Sequence, residues 1–379
     1  MGLFASKWRL TCGAGVVILI SASTACSLLR THSSKDLLAA LPGETHFKNI
    51  RQLTFDGINV KAYWSFNGRY LTYQHKDLGA EASKCDQIYR MDADGSAQQI
   101  LSSGEGQNTC SFFFPDDSRV LFSSTARPGL PASCPKDSRT TEKAWPIRDS
   151  LQIYSVKPDG TDPLPLEPGA PRAYNAEATV CKDGSVVFTS DRSGDLELFT
   201  GKIDPRFGTL SDVKAVTHEE GYDGAASFSP DCRQLVWRAS RPKTGRELSE
   251  YKRLLARHLY KPTAMEIWIG NADGSNARPL TRLHATSFAP VFTPDAKKIV
   301  FASNVHTDPG NKFELYMIGV DGSGLERISY SDSFDGFPMF SPDGKYLAFS
   351  SNRNAGKAHE TNIFVTEWID TPSPEQEKR

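Results

Sequence analysis

The chain has 379 residues and a formal net charge of −1, a near balance of acids and bases that excludes nucleic-acid binding through a broadly basic surface. Its 29 glycines and 23 prolines are spread along the chain, which suits many short strands joined by turns. A closed repeat architecture can hold this length as one domain.

Residues 1–26 read as a targeting segment. Lys7 and Arg9 precede an apolar run from Cys12 to Ile20, and small residues follow from Ser21 to Ala25. The run is short and Gly-rich for a membrane span, so cleavage is expected. Ser23-Thr24-Ala25-Cys26 resembles a lipobox, which makes Cys26 the expected lipidation site; Ser23 departs from that pattern, and Ser-Thr-Ala also fits an ordinary signal cleavage site. Residues 27–47 are read as a linker. Export places the chain where disulfides persist, and five cysteines follow Cys26, an odd number that leaves at least one free.

From residue 48 to 370 two phrases alternate. The first is clearest in Phe340-Ser341-Pro342-Asp343-Gly344, with relatives in Phe228-Ser229-Pro230-Asp231-Cys232 and Phe292-Thr293-Pro294-Asp295-Ala296 and weaker copies around Asn67, Asp116 and Asp183. Each puts a tight turn between two apolar strands, because proline presets φ and glycine accepts positive φ. The second phrase is a strand before an Asp-Gly turn, as in Glu266-Ile267-Trp268 to Asp273-Gly274 and Glu314-Leu315-Tyr316 to Asp321-Gly322. A fourth strand then ends in Leu-Thr or a near match, as in Leu280-Thr281.

Four antiparallel strands per unit make a propeller blade. The last unit lacks its fourth strand after Asn362 to Trp368, while Ile50-Arg51-Gln52-Leu53-Thr54 is an orphan of that type. Donating it to the last unit closes the ring and removes two exposed sheet edges. The predicted fold is therefore all-β, a six-bladed β-propeller of four-stranded antiparallel blades closed by an N-terminal strand completing the last blade, with residues 371–379 as a disordered tail.

On these paired phrases, the chain resembles the TolB-like (WD40-like) propeller family. That resemblance covers residues 48–370 and implies a binding or scaffold protein of the bacterial cell envelope, periplasmic or outer-membrane-anchored, with an envelope protein or peptide as partner. TolB itself carries an α/β domain before its propeller, for which the two dozen or so residues between Cys26 and the first strand leave no room. A hydrolase domain is not expected either, since Gly-x-Ser-x-Gly is absent from the sequence. The protein is expected to be monomeric, with no cofactor beyond a possible cation at the channel mouth and no nucleic-acid partner.

If the first strand of each blade runs from top to bottom, the Pro-Asp-Gly turns lie below and the irregular loops above, where function concentrates. Aligning the blades puts Asn59, Asn108, Asn175, Asp223, Ser287 and Asp335 at the start of successive innermost strands, as a polar ring around the upper mouth. Their oxygens could hold water, a cation or an inserted ligand, or simply suit a tight loop. Arg192, Arg241, Asn304 and Arg353 end the second strands, with Lys76 and Arg127 nearby, and favour an anionic partner unless they pair with Asp191, Asp195 or Glu360.

Two insertions belong to the same face. Arg127 to Ser150 is Pro-rich and expected to cover the channel or a neighbouring blade. Thr244 to Lys261 is predicted helical, with Thr244 and Glu247 as a capping box and Leu248, Tyr251, Leu254, Leu255 and Leu259 as an apolar stripe packed on the propeller. His218, His284 and His306 fall in one sector and form the alternative, a metal-dependent propeller enzyme acting on a saccharide, which would resemble oligogalacturonate lyases in using funnel histidines. Cys85, Cys110 and Cys134 share the top face and are candidates for one bridge; Cys181 and Cys232, in turns on the opposite face, are expected to be unpaired.

Overall fold

The computed structural model describes residues 37–79, 85–127, 129, 132–135, 144–261, 264–307, 312–331 and 333–370. The targeting segment with Cys26 and the tail at 371–379 lie outside them. Among the described residues no helix is long and apolar enough to cross a membrane.

Six antiparallel sheets of four or five strands follow one another along the chain as blades. Their innermost strands are Ile58–Trp64, Asn108–Phe113, Asn175–Val180, Tyr222–Phe228, Ser287–Phe292 and Asp335–Phe340. Most strands are buried on both faces, because each blade packs against two neighbours. In Tyr346–Ser351, Leu347 and Phe349 point into the core shared with blade five, while Ala348 points into the core shared with blade one. That two-sided burial explains apolar runs such as Ile299-Val300-Phe301-Ala302, all 0% exposed; each large side chain so buried contributes about 1.5–3 kcal/mol.

The ring closes as the orphan strand implied. Phe47–Gln52 pairs antiparallel with Asn362–Trp368, Phe47 opposite Trp368 and Gln52 opposite Phe364. Residues 37–46, inside the segment read as a linker, are ordered against the same blade: Leu37 and Leu38 add a fifth strand, and Glu44 and His46 are buried.

The Pro-Asp-Gly turns interlock around the lower rim. Within a turn, Asp343 accepts hydrogen bonds from Ser341 Oγ at 2.6 Å and the Lys345 amide at 3.2 Å. Between turns, the Asp117 carboxylate accepts from the Phe66 and Asn67 amides of the preceding blade. This convergence corrects one expectation: Cys181 and Cys232 form a disulfide. They sit in the turns of blades three and four, whose Cα atoms come within 5.8 Å once the blades lie side by side. Cys85 pairs with Cys134, and Cys110 is free and buried. Two disulfides mark a chain that folds in an oxidising compartment.

The second insertion is helical over a shorter span than its pattern suggests, Gly245–Leu255, with Thr244 Oγ1 accepting from the Glu247 amide. The Glu247 carboxylate bonds to the Lys243 amide instead of closing the box on Thr244. The chain then leaves the helix, and Leu259–Tyr260 pairs with Trp145–Pro146 of the Pro-rich insertion. Tertiary pairing between the two insertions thus wins over helix propensity. Leu254 is buried with Ala144 and Leu259, and Tyr251 packs near Ile147 and Leu196.

Candidate functional site

The six polar residues predicted at the mouth do begin the innermost strands, but they are sealed between blades, at 0–3% exposure. Five of them meet the first residue of the preceding blade's third strand. Asn108 Nδ2 donates to Gln87 Oε1 at 3.0 Å, Asn175 Nδ2 to Gln152 Oε1 at 3.0 Å, and Asn59 Nδ2 to Asn362 Oδ1 at 3.3 Å. Ser287 bonds instead to Ser303 of its own blade at 3.0 Å. Their hydrogen-bonding capacity goes into contacts between blades or, for Ser287, within one, which leaves them off the channel wall.

At two joints both partners are acids, Glu197 with Asp223 and Glu314 with Asp335. Burial, with the neighbouring Asp223 charge adding to it, raises Glu197 to about 8; burial and then the Asp335 charge raise Glu314 to about 7. Burial also raises Asp223 to about 6 against the pull of Arg241. Folded values above the unfolded ones mean that folding takes up protons, so this stability is fully present below about pH 4.5 and is lost as pH rises through 7 and 8. Unfolding free energy is expected to fall between pH 5 and 8.5, by up to about 1.4 kcal/mol per pH unit for each titrating group. Urea denaturation across that range checks it, and Glu197→Gln with Glu314→Gln should flatten the slope.

The arginine rim is likewise spent inside the fold, though not on Asp191, Asp195 or Glu360. Arg192 makes a bidentate pair with Glu167 at 2.8 and 2.9 Å and reaches Asn175 at 2.7 Å. Arg241 binds Asp223 at 2.8 Å and Glu219 at 3.2 Å. Arg353 binds Glu44 at 2.9 Å and Asp335 at 3.0 Å. Asn304 caps the Thr286 amide. Each clamp is held over an aromatic face of its blade, as Arg353 over Phe349 at 4.9 Å.

The channel wall is made two residues further along. Every innermost strand slips register there, and the residue at the slip takes a left-handed backbone: Lys61, Cys110, Glu177, Ala225, Ala289 and Phe337, with φ between 50° and 58°. A β-bulge re-aims its side chain, and all six line one cavity of about 320 Å³ at the upper end of the channel. None is glycine, so the fold bears a backbone cost of about 1 kcal/mol or more at each. No residue type marked these positions in the sequence; only their constant offset from the aligned turns could have found them.

The cavity combines aromatic walls with three charges. Arg238 donates to Glu177 at 2.5 Å and to the Tyr222 hydroxyl at 2.8 Å, and that hydroxyl donates to Glu177 at 2.8 Å. Burial opposes the Glu177 charge, but Arg238 and then Lys61 outweigh it and hold the carboxyl below its usual range. Gly224 makes room for this triad, since a Cβ there would lie 2.2 Å from the Tyr222 oxygen. Lys61 forms no ion pair with a carboxylate among the described residues: Nζ lies 3.1 Å from Thr109 Oγ1, 3.2 Å from Cys110 Sγ and 5.6 Å from the Phe337 ring centre. Tyr260 stacks on Tyr222 at 4.7 Å, and with Trp145, Pro146 and Ile147 it brings the two insertions to the cavity.

His218, His284 and His306 are exposed. None belongs to a cluster of three or more potential metal ligands among the described residues; the one such cluster, Cys181, Asp183 and Cys232, has its sulfurs in a disulfide.

No family model matches the chain, and no curated protein matches it. The structure is similar to that of the putative TolB from Agrobacterium tumefaciens, with a TM-score of 0.52 and 17% identity over 83% of this chain and 91% of that one. It is also similar to a gluconolactonase from Xanthomonas campestris, with a TM-score of 0.53 and 11% identity over 88% and 94% of the two chains. An oligogalacturonate lyase in complex with manganese gives a TM-score of 0.48 at 13% identity, over 85% and 93%. At such identities the likeness is one of fold, and propellers host unrelated functions. The chain thus has the six-bladed β-propeller fold found in the TolB-like proteins.

Proposed function

We propose that this is a non-enzymatic binding protein of the bacterial cell envelope, exported and tethered through a lipid on Cys26, whose upper cavity receives the anionic end of a ligand or partner. The supporting observation is Lys61. Its ammonium faces the cavity, and no carboxylate of the described residues lies within 4 Å. Glu177 is already matched by Arg238, so the three charges leave an excess of one positive charge among aromatic walls. A carboxylate entering there gains a charge-assisted hydrogen bond, worth about 1.5–3 kcal/mol.

Calorimetric titration with peptides carrying a free C-terminal carboxylate, against the same peptides amidated, tests this. Binding should need the carboxylate and weaken by tenfold or more in Lys61→Met. Equal binding of acid and amide would sink the anionic site. Stoichiometric zinc or manganese in the purified protein, lost on His218→Ala or His306→Ala, would move the assignment to a metal-dependent enzyme.

A further inference from the structure

A second cavity of about 310 Å³ lies at the lower end of the channel. Thr179, Ser227 and Val291 line both cavities, so the two meet at one level of the channel. Their surfaces differ in chemistry. The lower one is walled by six aromatic rings, those of Trp64, Phe66, Phe112, Phe228, Phe292 and Phe340, with the exposed Lys182 as its one charged lining residue. Three hydroxyls at its rim are already committed to their turns: Ser65 to Asn67 at 2.9 Å, Ser229 to Asp231 at 2.6 Å and Ser341 to Asp343 at 2.6 Å. At the meeting level, Thr179 Oγ1 donates to the Ala226 carbonyl at 2.8 Å. Met339 also lines this cavity and touches three of the surrounding core clusters; its thioether chain is flexible enough to reshape the wall.

Resting on the assignment of the upper cavity to an anionic end, we infer that the ligand is a single-chain amphiphile. Its anionic head lies against Lys61, and its acyl chain runs down the channel past Thr179, Ser227 and Val291 into the aromatic cavity. Charge complementarity holds at the top and apolar complementarity below. The two volumes together fall in the range of small-molecule sites. A short anion would leave the lower rings uncovered, and a neutral lipid would leave Lys61 unmatched.

Titrating the full-length protein with octanoate, laurate and palmitate below their aggregation limits tests the inference, with lysophosphatidate as a second head group. Affinity should rise by up to about fourfold per added methylene until the lower cavity is filled, and Lys61→Met should weaken every member by tenfold or more. Orientation is read by fluorescence: bromine at the chain end should quench Trp64 and lose that effect in Trp64→Phe, whereas bromine beside the carboxylate should quench Trp145 and lose it in Trp145→Phe. Tighter binding of palmitate identifies a free fatty acid, and tighter binding of lysophosphatidate a lysophospholipid. Lys61-dependent binding with no dependence on chain length, or peptide acids outcompeting palmitate, would overturn the amphiphile while leaving the anionic site standing. Failure of every carboxylate to bind would overturn both.

Discussion

Arg353→Ala is expected to lower the unfolding free energy by about 3–5 kcal/mol. The side chain is 9% exposed and pairs with Glu44 and Asp335, whose side chains are 0% exposed. Truncation takes the shared counter-ion from two buried carboxylates, leaves Asp335 beside Glu314, and also removes the guanidinium from the Phe349 face. The loss should be felt at the ring's seam, because Glu44 precedes the closing strand and Asp335 begins the last blade. Arg353→Lys keeps the charge but not the fork that reaches both acids, so it should fall between wild type and alanine. Urea denaturation at pH 8 measures both variants. A variant within 1 kcal/mol of wild type at pH 8 would show that water replaces the guanidinium.

Removing the Cys181–Cys232 bridge is the second large effect. The cross-link spans 51 residues, and its loss should cost about 4 kcal/mol in chain entropy. Cys232 has a φ of 65°, which glycine accepts more readily than serine. The pair Cys181→Ser and Cys232→Gly therefore removes the link without adding strain. Hydrogen exchange should rise first in the turns of blades three and four at the lower rim. Equilibrium unfolding of this variant, with wild type in reductant as the parallel, checks the magnitude. A change below 1 kcal/mol would mean that the interlocked turns hold the rim unaided.

Much of this architecture was legible before any coordinates. The Pro-Asp-Gly and Asp-Gly phrases are local, because each turn needs specific backbone angles and so specific residues, and the strands between them are set by apolar content. Ring closure was legible because a strand of fourth-strand type at Ile50 to Thr54 stood alone while the last blade lacked one, and unpaired edges are costly. The Pro-rich insertion was expected over the channel or a neighbouring blade, and its Trp145, Pro146 and Ile147 line the upper cavity.

The site itself was displaced by two residues. Aligning the blades put the first polar residue of each innermost strand at the mouth, but a bulge after it gives the channel to Lys61, Cys110, Glu177, Ala225, Ala289 and Phe337. Arg192, Arg241 and Arg353 follow the ends of second strands, yet Glu167 and Glu44 as partners depend on segments that arrive from elsewhere in the chain. The Cys181–Cys232 bridge was hidden for the same reason, since two turns 51 residues apart become neighbours only when adjacent blades pack.

By itself, then, the sequence determined the number of blades, their strand order and the closing strand, because turns and apolar runs act over a few residues. Only the tertiary structure decided which polar groups are consumed at blade joints and which remain free to meet a ligand. That outcome depends on distances between blades, and those exist only once the ring has closed.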